Sequence, residues 1–266
     1  MSVPNTASVS ELFHYPIKGL SPQQGTSLDV TAENGLVGAD RRFALALGTT
    51  QFDPQHPEPL DKGYFLMLRR DESLAALKTV FDAETGDLSI VKPDGATFRA
   101  NIEETAGREA VEDFFAEYLG AACQGRPKLV EAAGHKFTDV SVISPAMMRA
   151  VSVINLASVR DLEARYGRPV HPLRFRANIY LDGLAPWEEL QWVGRDVAIG
   201  SARFRCVLRT KRCAAIDVDP ETGLRDTALP KAIFKNYGHP DCGVYFEVSG
   251  DGTVEVGDEV ICGAEA

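Results

Sequence analysis

The sequence contains no run approaching the roughly 18 consecutive apolar residues that a membrane-spanning helix requires. Its first ten residues, Met1 to Ser10, lack a basic region followed by an apolar one, so no secretory leader is expected and a cytoplasmic location is the default. Cationic surplus is missing too. The 28 Lys and Arg against 38 Asp and Glu leave a net charge of −10, the wrong sign for neutralising nucleic-acid phosphates. Cysteine is sparse: Cys123, Cys206, Cys213, Cys242 and Cys262 are odd in number and scattered, unlike a disulfide scaffold, and reduced thiols are expected. Also absent are a P-loop, a G-x-G-x-x-G fingerprint, a nucleophile elbow and an H-E-x-x-H zinc motif. His239 and Cys242 form a lone H-x-x-C without the second close ligand pair of a structural zinc site. His14, His56, His135 and His171 stand in no nucleophile arrangement visible in sequence.

What is present is ordinary globular material. Apolar residues at 44% and charged residues at 25% support a hydrophobic core, and 266 residues fit one large domain or two small ones. The first hundred residues read as short strands broken by turns: Ser8 to Lys18, Gly25 to Thr31, Arg41 to Leu47, then Leu88 to Lys92 and Thr97 to Ile102 around Pro93, Asp94 and Gly95. The stretch Gln51 to Lys62, rich in Asp, Pro, Gln and His, reads as a surface loop. Val111, Phe114, Phe115, Tyr118 and Leu119 fall at helical spacing, so a helix is predicted over Arg108 to Leu119 with Gly120 as its stop. A second is predicted from Leu156, Val159, Leu162 and Tyr166, capped by Asn155 and ended by Gly167. From Arg174 strands return, and Val244 to Val248 with Thr253 to Val256 read as a hairpin around Ser249, Gly250, Asp251 and Gly252. No internal repeat or low-complexity tract interrupts this order.

One segment stands apart. Five basic residues, Arg203, Arg205, Arg209, Lys211 and Arg212, lie within ten positions of an acidic chain, and Cys213 follows them. Read as a strand, Ala202, Phe204, Cys206 and Leu208 share one face, and Arg203, Arg205, Arg209, Lys211 and Cys213 the other. Neighbouring cations favour the thiolate, the form that attacks electrophiles or binds metals. At about 3.3 Å per residue Arg203 would lie roughly 33 Å from Cys213, so only Arg209 to Arg212 could act with it, and a bulge would reverse the faces. On spacing alone the segment fits better a solvated edge strand whose charges discourage pairing, with Cys213 an ordinary buried thiol. Asp217, Asp219, Pro220, Glu221, Thr222 and Gly223 fit a turn better than a divalent-metal site.

Tyr15 to Lys18, Gly35 and Leu36 with Asp40 to Phe43, Arg174 to Asn178, and Arg212 and Cys213 with Val218 to Gly223 lie in order along nearly the whole chain. Taken together, they resemble the motifs of the MOSC proteins that bind molybdenum cofactor, in the subgroup preceded by an N-terminal β-barrel domain, which is similar to the mitochondrial amidoxime reducing component family. Tyr15, Pro16, Ile17 and Lys18 resemble its Y-P-x-K signature. Gly35 and Leu36 with Asp40, Arg41, Arg42 and Phe43 resemble G-L-x-x-D-R with one extra spacer residue. Arg174, Phe175, Arg176, Ala177 and Asn178 are similar to R-F-R-P-N, and Trp187, Glu188, Glu189 and Trp192 to the segment that follows. Arg212 and Cys213, followed by Val218, Asp219, Pro220, Glu221, Thr222 and Gly223, are similar to R-C-x-x-x-x-V-D-P-x-T-G. Gly243 to Tyr245 and Val256 to Asp258 resemble the family's last strands. Gly19, Ala39, Ala177 and Lys211 depart from the residues usual at their positions, and Met148 and Arg149 replace small hydroxyl residues that approach the cofactor in relatives.

This resemblance implies a mainly β fold with some helix: an N-terminal β-barrel-like domain over 1–103, a helical connector over 104–128 and a MOSC-type β-barrel domain with peripheral helices over 129–266. It implies a molybdenum cofactor whose metal takes Cys213 as its protein thiolate and catalytic ligand. Lys18, Arg41, Arg176 and Asn178 would anchor phosphate and pterin between the two units, with Arg149, Lys211 and Arg212 as further contacts, in keeping with the affinity of guanidinium groups for phosphate. The implied activity is two-electron reduction of a small N-hydroxylated substrate, with electrons from a separate flavin or iron–sulfur reductase, because no cysteine-rich ferredoxin-like region follows. At family level it also implies pyridoxal phosphate binding. The alternatives are a non-enzymatic carrier of the cofactor, or of sulfur on Cys213, and a β-domain interaction module without cofactor.

Overall fold

The computed structural model describes residues 7–263; residues 1–6, part of the stretch read above for a leader, lie outside it. An eight-stranded sheet dominates. In spatial order its strands are Val260–Cys262, Asp196–Ile199, Ala202–Lys211, Asp241–Gly250, Val151–Asn155, Ile179–Asp182, Ser8–His14 and Gln23–Gly25. Neighbours pair antiparallel except Val151–Asn155 with Ile179–Asp182, which run parallel. A parallel pair needs a long crossover, and residues 156–178 supply it with a helix, Leu156–Tyr166. All five residues of Val151–Asn155 are buried, as expected for a central strand covered on both faces.

One face of the sheet packs Val9, Leu12, Val153, Ile179, Phe204 and Phe246 against Leu28, Val30 and Val254 of a three-stranded sheet built from Ser27–Thr31, Gly35–Leu36 and Gly252–Glu255. The other packs Phe13, Ile154 and Tyr180 against Val159 and Leu162 of the Leu156–Tyr166 helix and Leu229 and Ile233 of the Leu229–Tyr237 helix. A further core gathers Ile17, Leu20, Phe43, Leu45, Leu88 and Ile90 under Val111 and Phe115 of the Thr105–Leu119 helix.

Both predicted helices are present. The first runs Thr105–Leu119 and stops at Gly120, whose φ of 55° suits glycine. The second is capped as expected: the Asn155 side chain accepts from Ala157 N at 2.9 Å. The Leu88 hairpin is present as Asp87–Val91 paired with Thr97–Asn101 across Pro93 to Gly95. The C-terminal hairpin is not. Asp241–Gly250 pairs with Ala202–Lys211 and Val151–Asn155, whereas Gly252–Glu255 leaves the sheet and pairs with Ser27–Thr31. Backbone crowding explains the departure. A Cβ on Gly252 would meet Ala202 N at 2.5 Å, and Thr253 is bonded to Ser201, so the chain crosses over its neighbour instead of folding back.

The mainly β architecture is as expected. The division at residues 103 and 128 is a proposal, to be read beside the fact that Ser8–His14 and Ser27–Thr31 pair with strands beyond residue 178. Arg225 ties late and early segments together: it donates to Ala214 O, to Leu68 O and Arg69 O, and to Glu72.

Candidate functional site

Where these segments meet lies a cavity of about 800 Å³, within the roughly 300–1,000 Å³ usual for small-molecule sites. Its wall carries nine Lys and Arg side chains against three Asp, in a protein of net charge −10. Lys18, Arg41, Arg176, Asn178, Lys211, Arg212 and Cys213 all line it, although they are spread over almost two hundred positions. Arg149 does not. It ends the short Pro145–Met148 helix with its backbone against Gly35, where a Cβ would sit 2.1 Å from Arg149 O. Arg149 is thus not among the residues brought to the cavity wall, although its neighbour Ala150 is.

Cys213 follows the basic strand in extended backbone and is half-buried at the cap of the Ala214–Asp217 turn. The faces read from sequence hold for Ala202, Phe204 and Cys206, all fully buried, and then break. Register shifts between Cys206 and Leu208 and again between Arg209 and Lys211 mark bulges, so Leu208 faces the cavity and Thr210 is buried. The Lys62 ammonium stands 3.9 Å from Cys213 Sγ and 3.2 Å from Asp139 Oδ2. The other Asp139 oxygen accepts from Lys18, which is 3% exposed and also donates to Phe137 O at 3.1 Å. Burial alone would raise the Asp139 carboxyl, but the ammonium groups of Lys18 and Lys62 override it and hold it well below the usual carboxylate range. Burial lowers the Lys18 ammonium, and Asp139 opposes that effect.

Beside this chain of charges, the buried Tyr15 ring carries two guanidinium groups, Arg41 at 4.7 Å and Arg176 at 4.4 Å from its centroid. Both arginines adopt left-handed backbone, φ 53° and 52°, a conformation that side chains other than glycine enter at a cost and that concentrates at functional sites. Burial, with Arg41 adding repulsion, pushes Arg176 down to about 10. Asn178 is placed differently from expectation. Its carbonyl oxygen accepts from Ser152 N and Oγ, and its amide donates to Phe13 O and Asp40 Oδ1, so its polar capacity is spent inside the protein. It positions Asp40, which also accepts from Tyr15 N.

Four buried side-chain polar atoms lack a partner among the described residues: Arg174 Nε, Arg176 Nη2, Thr210 Oγ1 and Arg212 Nη2. All four belong to residues of the cavity wall. In two of these residues the remaining donors are held firmly. Arg212 gives Nε to Cys242 O and Nη1 to Phe175 O, while Arg174 bonds Asp217 O, Asp219 and Asp226. Gly243 permits this: a Cβ there would meet Val153 O at 2.4 Å and Arg212 Nη2 at 3.0 Å. Buried donors without partners are costly and call for an acceptor. Fixed, unpaired guanidinium donors beside a thiol are the complement of an anionic guest bearing phosphate and a thiophilic metal. The residues therefore fit a molybdenum cofactor.

The Asp219 cluster is a turn, as read: Asp219 Oδ1 accepts from Glu221 N, Thr222 N and Thr222 Oγ1. Sequence reasoning missed Lys62, placed at the end of a surface loop, and Asp139, whose neighbours carry no periodic signal. It quoted Tyr15 and Arg174 in motifs without assigning them to the site, and Thr210 is revealed only by the bulges.

Residues 135–261 match the MOSC domain. The chain is 33% identical over 120 residues to mitochondrial amidoxime-reducing component 1 of Mus musculus, covering 41% of this chain and 35% of that protein. It is 31% identical over 122 residues to mitochondrial amidoxime reducing component 2 of Bos taurus, covering 41% and 36%. The matched region spans about a third of the length of these curated relatives. The YuaD protein of Bacillus subtilis is similar over 96% of this chain and 94% of its own, at 14% identity and a TM-score of 0.44. None of these findings supports pyridoxal phosphate binding, and that expectation is dropped. No helix among the described residues is long and apolar enough to cross a membrane.

Proposed function

We propose, from the match of residues 135–261 to the MOSC domain, that this chain is a molybdenum-cofactor oxidoreductase that reduces N-hydroxylated compounds such as hydroxylamines or amidoximes. The observation that carries this reading is the convergence of four partnerless buried donors and acceptors on the cavity that holds Cys213. Cys213 would supply the protein thiolate. Arg176, Arg212 and Arg174 would take the anionic parts of the cofactor, with Arg41, Lys18 and Lys211 adding charge. When bound, the cofactor supplies the two-electron redox chemistry. The chain's own residues hold the guest, and Lys62 and Asp139 fix charge beside the sulfur. Over the whole reaction the N–O bond breaks, two electrons and two protons are consumed, and water leaves.

The electrons would come from a separate flavin or iron–sulfur reductase, the substrate is a small molecule, and the proposed location is cytoplasmic. The relatives' names support the reaction class; the alternative, a carrier of cofactor or sulfur, predicts binding without turnover. Protein purified from a cofactor-competent host should reduce an aryl amidoxime to the amidine with a chemical reductant, in proportion to its molybdenum content. Full molybdenum occupancy with no reduction of amidoximes or hydroxylamines would favour the carrier.

A further inference from the structure

The cationic cavity has an apolar mouth. Ile143, Val193 and Leu208 line it while 58%, 40% and 39% exposed, from three separate segments of the chain. Leu208 is the informative one. Strand alternation would bury it beside Phe204 and Cys206, and the bulge between Cys206 and Leu208 turns it outward; bulges next to functional sites re-aim side chains in this way. The neighbouring turn holds Val193 in place, with Gly194 N bonded to Cys206 O at 2.8 Å and Arg209 Nε to Leu190 O at 2.8 Å. Large aliphatic side chains exposed around a concave site mark where a ligand buries apolar surface.

We propose that Ile143, Val193 and Leu208 form a seat for the apolar body of the substrate and make the enzyme selective for uncharged over cationic N-hydroxylated compounds. This rests on the reaction proposed above. The cavity's size supports it, since 800 Å³ near the upper end of the usual range leaves room for a second guest beside a cofactor. Charge supports it as well. Beyond the cations assigned to the cofactor and the Lys62 paired with Asp139, the wall carries Arg69 and Arg209 against Asp241, so a cationic body meets repulsion that an uncharged one escapes.

The test uses the cofactor-loaded protein and two probes with one head: phenyl amidoxime and its para-trimethylammonium analogue. The quaternary analogue should show kcat/KM at least about tenfold below the phenyl compound. Leu208→Ser and Val193→Ser should each lower kcat/KM for the phenyl compound about three- to tenfold, with the loss carried by KM, as expected for removing a partly buried aliphatic contact. Binding of phenyl amidoxime by calorimetry is read separately from turnover, so the two proposals fail differently. Binding that weakens in both variants without any turnover supports the seat and sinks the reaction. Turnover with KM and affinity indifferent to both substitutions, equal use of the quaternary analogue, or no binding at all overturns the seat. Circular dichroism confirms that both variants fold.

Discussion

On the proposed function Arg176 is held for a guest at the expense of the folded protein, and replacing it should expose that trade. Its guanidinium is pushed down to about 10 by burial and by Arg41, its Nη2 has no partner, and its backbone is left-handed. Against an ordinary value of about 12.5, and at about 1.4 kcal/mol per pH unit, the charged form costs the folded state about 3 kcal/mol, discounted to about 2 for partial solvent access. The sign follows from linkage. A base whose folded pKa is depressed penalises folding at every pH below that value, so the cost is constant from about pH 6 to pH 9. Arg176→Met keeps the stem and removes the charge, but it also gives up the contact over Tyr15, about 1 kcal/mol. The net expectation in cofactor-free protein, expressed in a host unable to make the cofactor, is a gain of about 1 kcal/mol, or roughly 2–4 °C in Tm. The same variant from a competent host should retain less than about a tenth of the wild-type cofactor, through loss of a charge-assisted contact to an anion. Differential scanning calorimetry of both preparations reads the outcome. A cofactor-free variant less stable than wild type would refute the argument that Arg176 is unpaired until the guest arrives.

Other expectations follow from neighbouring contacts. Asp139→Asn leaves Lys18, 3% exposed, without its carboxylate and should cost about 2 kcal/mol, read by urea unfolding. Because Asp139 is held below the usual range, its contribution is present above the ordinary carboxyl pKa and fades as pH falls below it; the variant should lose that acid dependence. Glu189 is fully buried, with Asn155 and Ser158 donating to it, and burial raises its carboxyl despite those bonds. Wild-type stability should therefore decline as pH rises from the ordinary carboxyl range through that raised value, and Glu189→Gln should flatten the decline, measured by unfolding between about pH 4 and pH 7. Gly243→Ala forces a Cβ toward Val153 O and Arg212 from left-handed backbone, and should cost more than about 2 kcal/mol and lower cofactor retention.

Much of the architecture was legible because it rests on local signals. The stripe from Val111 to Leu119 and the Asn155 cap state their helices, and Pro93 to Gly95 states its hairpin, in patterns only a few residues long. The C-terminal strands defeated the same logic. Gly252 reads as a turn glycine, whereas its role is to let one strand cross another, which depends on Ala202 fifty positions away. The site divides similarly. Motif position identified Cys213, Arg176, Arg41 and Lys18, and all line one cavity. Lys62 and Asp139 carry no spacing that links them to Cys213, since only the tertiary fold brings a loop lysine to the sulfur. Asn178 was recognised as important for a reason the hydrogen bonds revise, because its amide is consumed by Ser152, Phe13 and Asp40. The bulges around Leu208 were legible only as an exception to alternation.

Cys213 and the partnerless arginines are proposed to hold a molybdenum cofactor, and metal content tests that role most directly. Elemental analysis of protein from a cofactor-competent host should give close to one molybdenum per chain for the wild type and a small fraction of that for Cys213→Ala, with both proteins folded. Absence of molybdenum from the wild type, or undiminished molybdenum in Cys213→Ala, would contradict the account.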